Sequence, residues 1–296
     1  MLHELFAHKD PVLFAIPFFF VSIAVELAAL KWLDHDDNLT GYMFKDARTS
    51  ISMGLGSLVS TTLLKLLALI VYGAIYVVMP WHVPLNWWGI LLVVLGLDFF
   101  YYWNHRFVHR TRVGWAAHQA HHSSEYMNFA TALRQKWNPW FELAFYLPLA
   151  VLGFSPAAIF MASSISLVYQ FFVHTEMIDR LWAPIELVFN TPSHHRVHHG
   201  SDEIYLDRNY GGILIIWDRL FGTFQAELQR PTYGLTYKVD TFNLIKLEYG
   251  SYAALFRDVR NAKSWRLKVN YLLRPPGWAP TDAQPTEQPE TAGTAA

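Results

Sequence analysis

Four apolar stretches dominate the first 173 residues. Residues 11–30 (PVLFAIPFFFVSIAVELAAL) form the first, residues 51–80 the second, interrupted by Lys65, and residues 87–103 (WWGILLVVLGLDFFYYW) the third. A helix needs about 20 apolar residues to cross a bilayer, so each of these predicts a spanning helix. The fourth stretch, residues 141–173, is broken by Gly153-Phe-Ser-Pro156. It is too long for one simple span, and Gly and Pro at its middle predict a helical hairpin, shallow or re-entrant. Residues 201–275 are more polar, with scattered aromatics. They predict a cytoplasmic cap with interfacial helices, as over 250–274, where Tyr252, Leu255, Trp265, Val269 and Leu272 stand among basic residues. From about Pro280 on, Pro, Thr, Glu and Ala predominate and large apolar residues are missing, which predicts a disordered tail over 281–296. The expected fold is all-α and integral to a membrane. It has one domain over 1–280, about four spanning helices with the hairpin counted as one, and a cytoplasmic histidine-rich helical cap.

Composition agrees with that pattern. The chain is 53% hydrophobic and only 16% charged, whereas soluble domains carry about 25% charged residues. Its N-terminus, Met-Leu-His-Glu, lacks a basic n-region, so the first apolar run is read as retained. A net charge of −1 gives no bulk attraction to nucleic acid. Cysteine is absent, which removes disulfides, iron–sulfur clusters and thiolate ligands together. Any metal must then be held by histidine and carboxylate.

Charge also sets the topology. Arg106, Arg110, Arg112, Arg134 and Lys136 follow the third apolar run, and Arg180, Arg196, Arg208 and Arg219 follow the hairpin. The positive-inside rule places both groups in the cytoplasm. The third run then crosses inward and the second outward, and the 31–50 loop, with Lys31, Lys45 and Arg48, is cytoplasmic as well. The hairpin returns to the side it left. This corresponds to a multi-pass protein of a bacterial inner membrane or the endoplasmic reticulum.

Ten of the 14 histidines lie between His105 and His199, all on the cytoplasmic side of this topology. They read His105-x-x-x-His109, His118-x-x-His121-His122 and His194-His195-x-x-His198-His199, with a lone His174 after the hairpin. Residues at i, i+3 and i+4 share a helix face, so each group aims two or three imidazoles at one point. Without His194 the three groups supply eight nitrogens, too many for one ion and suited to two. His194, one residue before His195, points about 100° away and either ligates or hydrogen-bonds behind the ligands. Asp98 lies two turns before His105 on the same face, placed to accept the far N–H of a ligating imidazole. A short turn through Gly114 would bring the first two groups together. Imidazole suits zinc, copper, iron and nickel alike. A lipid substrate offers mainly C–H bonds, whose cleavage needs a redox metal and O2, and this argues for iron.

In this order and between apolar helices, the three histidine groups resemble the fatty acid hydroxylase/sterol desaturase superfamily of membrane di-iron oxygenases. Within it, several runs resemble the alkylglycerol monooxygenases. These are His118-Gln-Ala-His-His-Ser-Ser-Glu125 through Ala130-Thr-Ala-Leu-Arg-Gln135, His174-Thr-Glu176, Asn190-Thr-Pro-Ser-His-His-Arg-Val-His-His-Gly200, Asn209-Tyr-Gly-Gly through Phe224, and Pro275-Pro-Gly-Trp-Ala-Pro280. The resemblance covers about residues 40–280. It implies an O2-dependent lipid hydroxylation in which His105, His109, His118, His121, His122, His174, His195, His198 and His199, with His194 as a further candidate, hold two iron ions. Glu125, Glu176, Asp98 and Asp207 are candidates for handling protons or orienting ligands. The alkylglycerol monooxygenases take electrons from tetrahydrobiopterin, hydroxylate the carbon next to the ether oxygen, and release an aldehyde as the hemiacetal collapses. The implied partners are a bilayer lipid, O2 and a separate electron donor, tetrahydrobiopterin or another.

Other readings stay open. Hydroxylation or desaturation of a sterol, carotenoid, fatty-acyl or aminolipid chain shares the same chemistry. A metal transporter would place ligands inside spanning helices, and a zinc-stabilised scaffold would use the same nitrogens without turnover. Trp217-Asp-Arg-Leu-Phe-Gly-Thr-Phe224 reads as aromatic packing of the cap, with Asp218 and Arg219 available to each other. Arg134 and Lys136 are placed to hold a lipid headgroup or to serve as positive-inside anchors.

Overall fold

The computed structural model describes residues 11–32 and 39–280, so the expected tail lies outside the described residues. Twelve helices occur among them and strands do not; only the isolated bridges Phe189–Leu214 and Gly200–Tyr233 interrupt the helical pattern. In order the helices are α1 (Pro11–Trp32), α2 (Phe44–Val78), α3 (Trp87–Arg110), α4 (Arg112–His122), α5 (Phe129–Ala132), α6 (Trp140–Val151) and α7 (Pro156–Phe172). They continue with α8 (Ala183–Val188), α9 (Pro192–His199), α10 (Ile216–Leu220), α11 (Leu244–Asn261) and α12 (Trp265–Leu273).

Two of these, α1 and α2, are long and apolar enough to cross a membrane, and α6 and α7 are shorter apolar helices. Helix α2 begins at Phe44, earlier than its apolar run, so its first turns are polar and reach the histidine-bearing end of the molecule. Outward-facing Leu55, Val59, Leu63 and Ile70 leave it an apolar exterior. Inside, Tyr72, Val93, Leu97, Leu149 and Ile159 interlock α2, α3, α6 and α7 in the principal core.

The expected hairpin is present. Helices α6 and α7 meet at Gly153, whose φ of +89° is open to glycine without strain. A Cβ there would also lie 2.7 Å from the Trp81 carbonyl. Ser155 then caps α7 by accepting from the Ala158 N–H, and Pro156 occupies its first turn.

As its sequence period predicts, α3 runs on through His105 and His109. The reversal that follows is made by Thr111 rather than by Gly114. Thr111 ends α3 in extended backbone and its Oγ1 accepts from the Gly114 N–H, starting α4. Gly114 sits in the first turn of α4, where a Cβ would come within 2.5 Å of the Val108 Cα and 2.9 Å of the Phe107 carbonyl oxygen. Its missing side chain is what lets α4 fold back onto α3.

Two buried carboxylates fix the loop over the histidines. Asp98 accepts from the N–H groups of Ile213 (2.6 Å) and Leu214 (3.1 Å) and from the Trp217 indole (2.9 Å). Asp218 accepts from Tyr210 N, Gly211 N and the Thr223 hydroxyl, within 2.8 Å. The expected pairing of Asp218 with Arg219 does not form, because Arg219 instead donates to the carbonyls of Glu186 and Leu187 and stacks on Phe224. The expected aromatic packing does form, with Trp217 and Phe221 against Phe99.

Replacing Gly114 with alanine is expected to cost about 1–3 kcal/mol through overpacking against backbone that has no room to yield. The thermal unfolding midpoint of the detergent-solubilised protein, compared with wild type, checks this.

Candidate metal centre

Each histidine is delivered by a rigid element. Helix α3 contributes His105 and His109, α4 His118, His121 and His122, and α9 His194, His195, His198 and His199, while His174 follows the end of α7. Nine of the ten converge and are buried. They form two groups, His105/His109/His118/His122/His198 and His121/His174/His195/His199, with the potential ligand atoms in each within 4.8 Å of one another.

The groups do not follow the sequence runs. His118 and His122, four apart on α4, serve the first group while their neighbour His121 turns to the second. On α9 the pattern inverts, with His195 and His199 in the second group and His198 in the first. The expectation that one run aims at one point is therefore corrected: i and i+4 share a face, and the i+3 side chain falls to the other side. The groups are adjacent, with the rings of His122 and His199 stacked 4.3 Å apart.

Hydrogen bonds set the ring orientations. The Nδ1 atoms of His105, His121, His174 and His198 lie 2.9, 3.0, 2.7 and 3.0 Å from the carbonyl oxygens of Tyr210, Arg134, Gln170 and Arg208. A carbonyl only accepts, so each Nδ1 carries the proton and each Nε2 presents a lone pair to the centre. Asp98 does not have the role expected of it: its oxygens are taken by the 213–217 loop, and Tyr210 supplies the acceptor for His105. Inside the groups, Nε2 atoms crowd at 3.1 Å (His105–His118), 3.2 Å (His118–His122) and 3.0 Å (His174–His195). The buried Nε2 atoms of His109, His198 and His199 have no hydrogen-bond partner. Imidazole nitrogens crowded this closely, three of them with no hydrogen-bond partner, fit cations at both places.

Burial makes these imidazoles hard to protonate. It pushes His174 and His198 down to about 4, and His118, His121, His122, His195 and His199 well below the ordinary range, with neighbouring imidazoles adding to the effect in the latter five. At neutral pH the rings are uncharged and ready to ligate.

The remaining candidates stand apart from the groups. His194 points away, its Nε2 3.0 Å from Glu186 and its Nδ1 3.2 Å from the Phe189 carbonyl. Glu176 is buried and accepts from the Thr40 N–H and hydroxyl and from the Tyr233 hydroxyl, which anchors the segment carrying His174. Glu125 is exposed beside Gly234, and Asp207 pairs with Arg110. Arg134 is only 1% exposed and Arg196 0%, so neither is a surface anchor. Arg134 is held by Asp46, Ser50 and Ser123, and Arg196 by Glu227 at 2.6 Å. Lys136 pairs with Glu142. Sequence reasoning missed Tyr210, whose carbonyl orients His105 and whose ring lies 5.4 Å from that of His109.

Comparison with known proteins gives the same resemblance from a separate direction. Residues 90–223, which contain every one of these histidines, match the fatty acid hydroxylase family. These residues thus carry a fatty acid hydroxylase domain match. It is 40% identical over 272 residues to an alkylglycerol monooxygenase of Danio rerio, covering 90% of this chain and 59% of the relative. It is 39% identical to one of Homo sapiens, covering 92% and 60%. An ornithine lipid hydroxylase, OlsE, of Rhizobium tropici is 33% identical over 165 residues, covering 53% of this chain and 49% of the relative. The chain thus spans about three fifths of the length of the alkylglycerol monooxygenases it matches. No solved structure matches it.

His198→Ala is expected to lower the iron retained after reconstitution and desalting, measured by elemental analysis, whereas His194→Ala retains wild-type iron. Equal losses would show that His194 is also a ligand. A second expectation concerns pH. A histidine held below its ordinary value binds its proton more readily when unfolded, so it stabilises the fold fully above about 6.5. That contribution fades as pH falls toward about 4. The metal-free protein should therefore unfold at progressively lower temperature between these values, as read by circular dichroism.

Proposed function

We propose that this chain is a membrane-bound di-iron lipid monooxygenase that cleaves ether lipids of the alkylglycerol type. The observation that carries the reading is the pair of buried, all-imidazole groups at the ends of apolar helices, in a chain so similar to alkylglycerol monooxygenases. His105, His109, His118, His122 and His198 would hold one iron, and His121, His174, His195 and His199 the other. Iron supplies the activation of O2 that attack on an unactivated C–H bond requires.

The protein's own part is to orient and to exclude water. Carbonyls at 134, 170, 208 and 210 fix four rings, and the 209–224 loop, tied down by Asp98 and Asp218, covers the centre. The imidazoles are neutral ligands and would leave the charge of a bound metal uncancelled. In this reading four apolar elements, α1, α2, α3 and the α6–α7 hairpin, embed the chain. The centre faces the cytoplasm, a lipid chain enters from the bilayer, and a separate donor, tetrahydrobiopterin or another, provides electrons. Glu176 is proposed to position the His174 segment rather than to transfer protons.

A second reading is hydroxylation of another lipid, supported by the similarity to the ornithine lipid hydroxylase. A transport role is disfavoured because seven of the nine convergent histidines sit on α4 and α9 or follow α7, outside the apolar runs.

Aerobic turnover of a 1-O-alkylglycerol, with tetrahydrobiopterin supplied or withheld, separates these. Pterin-dependent fatty aldehyde that is lost in His198→Ala is the expected result. If iron-replete protein releases none, the ether-lipid assignment fails, and lipid extracts gaining one oxygen would support the second reading.

A further inference from the structure

Helix α11 is apolar on more than its buried side. Leu247 and Leu255 face inward, and Leu247 packs with Met53 and Ala120. Ile245, Tyr249, Tyr252 and Phe256 recur at spacings of four, three and four, and at 100° per residue they fall within about 60° of one another. This second stripe is not covered: Phe256 is 69% exposed, and Ile245 and Tyr249 are exposed as well. Helix α12 continues it with exposed Trp265 (80%), Val269 and Leu273. An uncovered stripe of this size costs solubility unless something apolar meets it.

The charge beside it says what that is. From Arg257 to Arg274 the chain carries Arg257, Arg260, Lys263, Arg266, Lys268 and Arg274 against a single acid, Asp258. That acid is taken by Arg112. On α11 the basic residues Lys246, Arg257 and Arg260 lie beyond the apolar stripe, away from the buried face. A helix that is buried on one side, apolar on the next and basic beyond has the pattern of an element lying in a headgroup layer. The stripe also joins the flank of α2: Trp137 rings with Tyr249 at 6.3 Å and donates through its indole to the Met53 carbonyl at 2.9 Å. Outward-facing Leu55 and Val59 follow on α2.

We infer that α11 and α12 form a docking surface for an anionic bilayer leaflet, seated where α2 enters the lipid. The inference rests on reading α2 as membrane-spanning. Its structural consequence reaches the metal centre. The Arg112–Asp258 pair, the Ser251–Gln119 hydrogen bond and the Arg112 N–H to Arg274 carbonyl bond (2.9 Å) tie these helices to α4, which carries three of the centre's histidines. A lipid surface under α11 and α12 therefore supports the element that orients His118, His121 and His122.

The cysteine-free chain makes the test direct. Nitroxide labels at Phe256→Cys, Val269→Cys and Leu63→Cys, one at a time, report depth through relaxation by O2 against an aqueous nickel chelate. The full chain is placed in nanodiscs of phosphatidylcholine with or without phosphatidylglycerol. Labels at 256 and 269 are expected to favour O2 when phosphatidylglycerol is present. Arg257→Glu/Arg260→Glu/Arg266→Glu should shift them toward nickel. Nickel access in both discs, or shielding from both reagents by a second copy, would overturn the docking surface. Equal depth without phosphatidylglycerol would overturn the anionic partner. A label at 63 that fails to favour O2 would instead refute α2 as a span.

Discussion

A neutral imidazole has one N–H and one lone pair, and in a buried site both must be aimed at something. Nine such rings share one interior here. Four send their N–H to backbone carbonyls, and this single choice settles which nitrogen faces inward. The carbonyls come from four separate places, Arg134, Gln170, Arg208 and Tyr210. Each of those segments must itself be held, and much of the polar architecture does so. Asp46 grips Arg134, Asp218 receives the Tyr210 N–H, and Asn209 donates to the His194 and Gln225 carbonyls.

Buried ion pairs in this molecule are consequently props for backbone more than sources of net stability. Desolvating Asp46 and Arg134 offsets much of their attraction, whereas leaving either alone in the interior is costly. The same holds for the pair of Arg196 and Glu227; Arg196 also donates to the carbonyls of Thr175 and Ile178 and so braces the segment after His174. Residues that look like membrane anchors in sequence thus work inside the fold.

Much of this was legible in the chain. Apolar run length and the Gly153–Pro156 break announced the long helices and the hairpin, because both depend on local composition and backbone freedom. Histidine spacing announced convergence, because i and i+4 share a face in any helix. What escaped depended on contacts distant in sequence. Asp98 was placed on the correct face, yet its partners are 115 residues or more away and include backbone N–H groups, which have no signature in the side-chain pattern. Arg134 looked like a headgroup ligand because Asp46, 88 residues earlier, could not be paired with it by inspection. The division of each run between two groups was hidden for a subtler reason: spacing gives the face of a helix, but which side of that face a third ring takes depends on what stands opposite.

That division has a mechanical consequence. Helices α4 and α9 each place rings in both groups, so the two share their framework as two wheels share an axle. Tilting either helix displaces both sets of lone pairs together. Each group also has a support of its own, α3 for the first and the segment carrying His174 for the second, but neither can shift α4 or α9 without moving the other. Evolution within such a scaffold is free to reshape the lipid-facing walls and the covering loop, while the spacing of the paired centre stays set by the backbone.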